Sequence, residues 1–95
     1  MEQGTHVCSA LSIVHPIELV RGLNAKVYDS EQREYIDFVG GIGVLNLGHC
    51  HPRIVAAITE QATQLTHSAF NAVPHRPYLQ LVKALERVCA HPHTV

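Results

Sequence analysis

YIDFVGGIGVLNLGHCHP, Tyr35 to Pro52, changes character twice along its length, and those changes set the fold. Tyr35 to Phe38 is a β-prone run. Glycine then occupies positions 40, 41, 43 and 48, a density that disfavours a helix and suits backbone that turns sharply or lies close to another group. The apolar residues between them, Ile42, Val44, Leu45 and Leu47, are too many for a solvated linker, so the segment reads as buried or ligand-facing. Pro52 closes the stretch and suits the first turn of a helix, where its missing N–H is not needed.

Working outward, AKVYD (Ala25 to Asp29) and EYIDF (Glu34 to Phe38) form two β-prone runs separated by Ser30 to Arg33, the pattern of a hairpin with a short loop. Val27 shares a face with Ala25 and Asp29, and Ile36 shares one with Phe38. Upstream, residues 1–24 are weakly patterned, with Pro16 biasing His15 toward extended backbone, and read as an irregular arm with one short extended piece. Downstream, Ile54, Ile58, Gln61/Ala62 and Leu65 recur at helical spacing, which predicts a helix over 52–67. Asn71 to His75 reads as a connector. A second helix is expected over 77–90, opened by Pro77, with Tyr78, Leu81, Val82, Leu85, Val88 and Cys89 on one apolar face and Pro92 beyond its end. The expected class is α+β: arm (1–24), antiparallel hairpin and glycine-rich segment (25–51), then two helices. With 95 residues, the expectation is a single unit.

The charge pattern excludes some partners. A net charge of −1, with basic residues scattered and forming no stripe, gives no footprint for nucleic acid. No window approaches the roughly 18 apolar residues of a membrane span, and the N-terminus lacks the basic and apolar regions of a signal peptide. A cytoplasmic protein is expected. Cys8, Cys50 and Cys89 are an odd set without CxxC spacing, so reduced thiols are expected rather than a disulfide framework.

Three groups could carry chemistry. His49, Cys50 and His51, and likewise Cys89, His91 and His93, combine imidazole and thiolate, which suit zinc. Pro52, however, places His51 at a helix start, and no metal site is expected. Asp29, Glu34 and Asp37 gather carboxylates near the hairpin, where such groups are usually solvated. Cys50 lies near a helix N-terminus, where a thiol can be activated, but no base is evident beside it.

With these motifs laid out, Val27 to Gln61 resembles the N-terminal region of class-III (fold-type-I) pyridoxal-phosphate (PLP) aminotransferases. The shared pattern is a V-x-D hairpin, Y-(I/L)-D-F, a glycine-aliphatic loop, N-x-G-H-x-H-P and a helix ending in Gln. PYLQLVKAL, Pro77 to Leu85, is similar to the family's next helix, and the resemblance spans about His15 to Val88. The GGIGV form of the loop is closer to 4-aminobutyrate and 5-aminovalerate members than to ornithine members, which tend to carry an aromatic residue at the position of Ile42. Two departures stand out. The family usually has glycine where this chain has Gln32, and CAHPHTV, from Cys89 onward, does not resemble the approach to the family's phosphate-binding segment.

The resemblance implies amino-group transfer to 2-oxoglutarate through PLP, with Ile42, flanked by Gly41 and Gly43, lining the substrate pocket. That chemistry requires a lysine for the internal Schiff base, an acidic partner for the pyridinium nitrogen and donors for the phosphate. In the family these follow the region matched here. Lys26 and Lys83 are the only lysines, and both read as solvated. The expectation is therefore a substrate-side segment truncated before the cofactor site, with no catalytic residue and no PLP held by this chain alone. The expected partners are further copies of this chain, as a homo-oligomer, or a complementary aminotransferase chain that supplies the rest. The alternative is a catalytically silent, self-associating interaction module.

Overall fold

The structure, a computed structural model, describes residues 7–89. The chain falls into two compact units, Met1–Ala57 and Ile58–Val95.

The first unit is built on a three-stranded antiparallel sheet in the order β1 (Leu19–Leu23), β2 (Lys26–Asp29), β3 (Glu34–Ile36). The β2–β3 hairpin is the one expected, with Val27 opposite Tyr35 and Tyr28 opposite Glu34. β1 corrects the irregular arm: Leu23 pairs with Lys26 and Gly22 with Val27 around a two-residue turn, and Val20 is left unpaired at a bulge. Arg21 and Gly22 break the alternation that marks a strand, which hides β1 in the sequence. Arg21 compensates across the pair, its guanidinium lying 3.7 Å from the centroid of the Tyr28 ring.

The interior of this unit is small. Among the described residues Val27 is the buried apolar residue, 5% exposed, and Asp29 beside it is 2% exposed. These two share the face assigned to them from the alternation. The expectation that hairpin carboxylates are solvated fails at Asp29. Its Oδ1 accepts from the Glu31 and Arg33 N–H groups, while Oδ2 accepts from Arg33 Nε at 2.8 Å and the Tyr35 hydroxyl at 2.9 Å. Four donors satisfy the carboxylate where water cannot. Burial alone would push this carboxyl up, but the Arg33 side chain, the Arg33 and Glu31 amides and the Tyr35 hydroxyl outweigh it and bring the pKa to about 2.

After β3 the chain makes a four-residue turn, α1 (Gly40–Gly43), and then enters α2 (Pro52–Ala62). α2 starts at Pro52 as expected but stops at Ala62 rather than His67. The Thr63 hydroxyl donates to the Glu60 carbonyl at 2.7 Å, and the Gln61 side chain donates to the Leu65 carbonyl. These side chains take over bonds that a continuing helix would make with backbone N–H groups.

In the second unit α3 covers Arg76–Val88, one residue before the expected start; the expected last residue, 90, lies outside the described residues. His75 is its N-cap, with extended backbone, and Nδ1 accepts from the Tyr78 amide at 3.4 Å. Pro77 sits in the first turn, where it gives up no helical bond. Phe70 stacks on Tyr78 with centroids 4.1 Å apart and meets the His75 ring edge-on at 5.4 Å. No helix among the described residues is long and apolar enough to cross a membrane.

Candidate functional site

The site grows out of the end of the sheet. At the β1–β2 turn Asn24 adopts a left-handed conformation, φ 54°, and exchanges two backbone bonds with His49: Asn24 N–H to the His49 carbonyl at 3.0 Å and His49 N–H to the Asn24 carbonyl at 2.9 Å. The Asp37 amide donates to the Ala25 carbonyl at 2.8 Å. Two chain segments, one leaving β3 and one approaching α2, are thus fastened to the same turn. Between them lies a cleft of about 360 Å³ lined by Asn24, Ala25, Asp37, Gly40, Leu45, Asn46, Leu47, Gly48 and His49.

Asp37 organises the edge of this cleft. Oδ1 accepts from the Val39 amide at 3.0 Å and the Gly40 amide at 2.9 Å, while Oδ2 lies 2.6 Å from His49 Nε2. The Gly40 amide first, then the His49 ring and the Val39 amide, holds the Asp37 carboxyl below the usual carboxylate range against the opposing effect of burial. An ionised carboxylate only accepts, so His49 carries its hydrogen on Nε2. As a hairpin carboxylate, Asp37 is expected to be solvated. It is instead 13% exposed and paired with a histidine 12 residues away. The signal was present in the Y-I-D-F and G-H-C-H motifs, but spacing alone does not bring them together.

Just beyond Asp37, the glycine turn is left-handed throughout. φ is 57° at Gly40, 63° at Gly41, 61° at Ile42 and 75° at Gly43. Bonds from Ile42 N–H to the Val39 carbonyl, and from Val44 and Leu45 N–H to the Gly40 carbonyl, close it. Glycine adopts this backbone readily, whereas a β-branched side chain there is an outlier that costs about 1–3 kcal/mol. The side chain held in this backbone is 88% exposed. Ile42 therefore fills no core within the described residues, and Gly41 and Gly43 on either side of it are exposed.

The other candidates separate. His51 caps the start of α2, its Nδ1 accepting from the Arg53 amide at 3.2 Å, and Cys50 is exposed at φ 53°. Among the described residues no three His, Cys, Asp or Glu side chains are grouped as metal ligands would be; His91 and His93 lie outside them. Glu34 is held below the usual range by the Tyr28 hydroxyl, then by Lys26. Lys26 lies 3.3 Å from Glu34 on the sheet, and Lys83 is on α3. The cleft lining contains neither lysine nor arginine. This cleft therefore offers the aldehyde of PLP no amine, and no step through that group follows from it.

With this geometry in hand, the comparisons with known proteins agree on one family. The family described as aminotransferase class-III matches residues 9–95. That match includes CAHPHTV, where the motif resemblance had stopped. The 2-aminoadipate transaminase of Pseudomonas putida is 59% identical over 81 residues, covering 85% of this chain and 20% of that protein. The 4-aminobutyrate aminotransferase of Escherichia coli is 46% identical over 74 residues, covering 78% of this chain and 17% of that protein. Among solved structures, the N-acetylornithine aminotransferase of Stenotrophomonas maltophilia superposes with a TM-score of 0.70 at 43% identity, over 76% of this chain and 20% of that one. The chain spans about a fifth of the length of the relatives it matches.

Proposed function

The chain belongs to the class-III aminotransferase family, which is PLP-dependent, and on that premise we propose that it forms the N-terminal, substrate-side segment of an enzyme of the 4-aminobutyrate type. In this reading the enzyme moves an amino group from an ω-amino acid to 2-oxoglutarate, and Ile42, between Gly41 and Gly43, is an apolar wall of the substrate pocket. The observation that carries it is Ile42 itself. An aliphatic side chain 88% exposed on a strained, left-handed turn is poor use of a β-branched residue unless something lies against it. The glycines on either side let that partner approach the backbone.

The chain's own contribution is to shape and dry one side of the pocket. In this reading the amine that links the cofactor comes from elsewhere in the enzyme, with Lys26 lying 3.3 Å from Glu34 and Lys83 exposed on α3. The 95-residue chain incubated with PLP is expected to yield no lysine trapped by borohydride. A stoichiometric trapped lysine would overturn that part of the reading. The catalytically silent interaction module is not favoured, since the relatives matched are aminotransferases.

A second substrate has an observation behind it, because identity to the 2-aminoadipate transaminase exceeds identity to the 4-aminobutyrate enzyme. Amino transfer to 2-oxoglutarate by the polypeptide carrying this chain, assayed with 4-aminobutyrate, 5-aminovalerate and 2-aminoadipate, decides between them. The reading expects the highest kcat/KM for 4-aminobutyrate and a changed ratio among the three in Ile42→Ala. A preference for 2-aminoadipate replaces the substrate, and an unchanged ratio removes Ile42 from the pocket.

A further inference from the structure

Ile42 is 88% exposed among the described residues, yet its backbone is held in a conformation that a β-branched residue avoids. Such a conformation persists only where the surroundings over-determine it. The bonds internal to the turn are three backbone hydrogen bonds, which a right-handed or extended path at Ile42 would release. What remains is external: the Asp37 carboxylate grips the Val39 and Gly40 amides where the turn begins, and His49 grips the same carboxylate from the other side of the cleft.

His49 is itself fixed twice. Its backbone exchanges two bonds with Asn24, and its ring lies so close over Gly22 that a Cβ there would be 2.7 Å from Cγ. Asp37 is fixed through its amide to Ala25. The carboxylate–imidazole contact of 2.6 Å therefore ties the turn to the end of the sheet. Both side chains are largely shielded, 13% and 22% exposed, so water competes poorly for the contact.

We propose that Asp37 and His49 act together as positioning residues, a clamp that keeps the glycine turn left-handed and so presents the Ile42 side chain as the pocket wall. This rests on the reading of Ile42 given above. Neither residue needs to touch substrate. Their effect passes through the Val39 and Gly40 amides into the φ of Ile42, and it exists because residue 42 is β-branched. With glycine at 42 the left-handed turn carries no steric penalty, and the clamp has nothing to oppose.

That dependence supplies the test. Amide hydrogen exchange is followed on the full chain at Val44 and Leu45, whose N–H groups close the turn, with the Asp29 amide, bonded to the Arg33 carbonyl, reporting the hairpin. Asp37→Ala is expected to speed exchange at Val44 and Leu45 about tenfold, in line with the loss of hydrogen bonds to a charged group, and to leave Asp29 unchanged. His49→Phe keeps a ring over Gly22 and removes the donor; its expected effect is in the same direction and about threefold. Adding Ile42→Gly to either variant is expected to bring exchange back to within about twofold of the parent, a rescue that a general packing role does not predict. Unchanged exchange in both variants overturns the clamp, as does a loss that Ile42→Gly fails to rescue. Should Asp37→Ala also expose Asp29, His49→Phe with and without Ile42→Gly separates the clamp from a general loss of structure. Failure of the pocket-wall reading has a different signature: Ile42→Ala leaves the substrate ratio unaltered while the exchange results stand.

Discussion

Gly22 and the imidazole of His49 leave no room for a side chain between them: a Cβ on residue 22 would sit 2.7 Å from Cγ and 3.0 Å from Nδ1 of the ring. Glycine in the middle of a strand weakens it, so its place in β1 follows from this contact. Gly22→Ala is expected to displace the ring, lengthen the bond to Asp37 and lower stability by about 1–3 kcal/mol, the range for overpacking a closed site. Denaturant unfolding of parent and variant measures it. A change below about 0.5 kcal/mol, typical of surface positions, would mean that His49 moves aside freely.

Asp29 gives the hairpin an acid limit. Its folded pKa is about 2 against an ordinary value of 3.8, so the folded state favours the ionised form. The contribution is fully present above pH 3.8, declines below it and is gone once the pH has fallen through about 2. Asp37 and Glu34, both also lowered, add to the loss in the same direction. Asp29→Asn is expected to be less stable than the parent at neutral pH, with the gap closing as pH falls from 3.8 toward 2. A gap that stays constant with pH would show that the four donors hold the neutral side chain as well as the charged one.

The N-cap of α3 is open to improvement. His75 accepts the Tyr78 amide through Nδ1 at 3.4 Å, a long bond from a residue outside the favoured cap set. His75→Asp offers a carboxylate oxygen to the same amide and a negative charge to the helix N-terminus, and is expected to stabilise α3 by about 0.5–1 kcal/mol. His75→Ala should destabilise it by a similar amount. Thermal melting followed at 222 nm compares the three. If His75→Asp melts below the parent, the edge-on packing against Phe70 matters more than the cap.

Where the sequence was readable, a local rule was at work. Alternation marked the β2–β3 hairpin, and Pro52 and Pro77 marked the helix starts to within one residue. β1 escaped because Gly22 answers to His49, far along the chain, rather than to strand propensity. The end of α2 escaped because Thr63 and Gln61 use side chains on carbonyls, which apolar periodicity does not register. At the candidate site, glycine spacing announced a turn beside Ile42, but neither its handedness at a β-branched residue nor the pairing of Asp37 with His49 follows from spacing. Both are tertiary facts, set by where the sheet end holds two distant segments.

Gln32 shows a departure from family pattern becoming a measurable strain. The family's usual glycine at this position suggested backbone with positive φ, and Gln32 has φ 65°. Its amide still donates to the Asp29 carbonyl at 2.9 Å, and its side chain is exposed, so substitution removes little besides the strain. A non-glycine residue in this region costs about 1–2 kcal/mol, while glycine gives back about 0.4–1 kcal/mol through the entropy of the unfolded chain. The first effect is larger, and Gln32→Gly is expected to raise stability by about 0.5–1 kcal/mol. Gln32→Val, β-branched and poorly suited to this backbone, should lower it. Denaturant midpoints in the order glycine, glutamine, valine bear this out. Valine equal to glutamine would instead mean that the turn relaxes out of the left-handed region, and with it the four-donor cradle around Asp29 would lose its geometry.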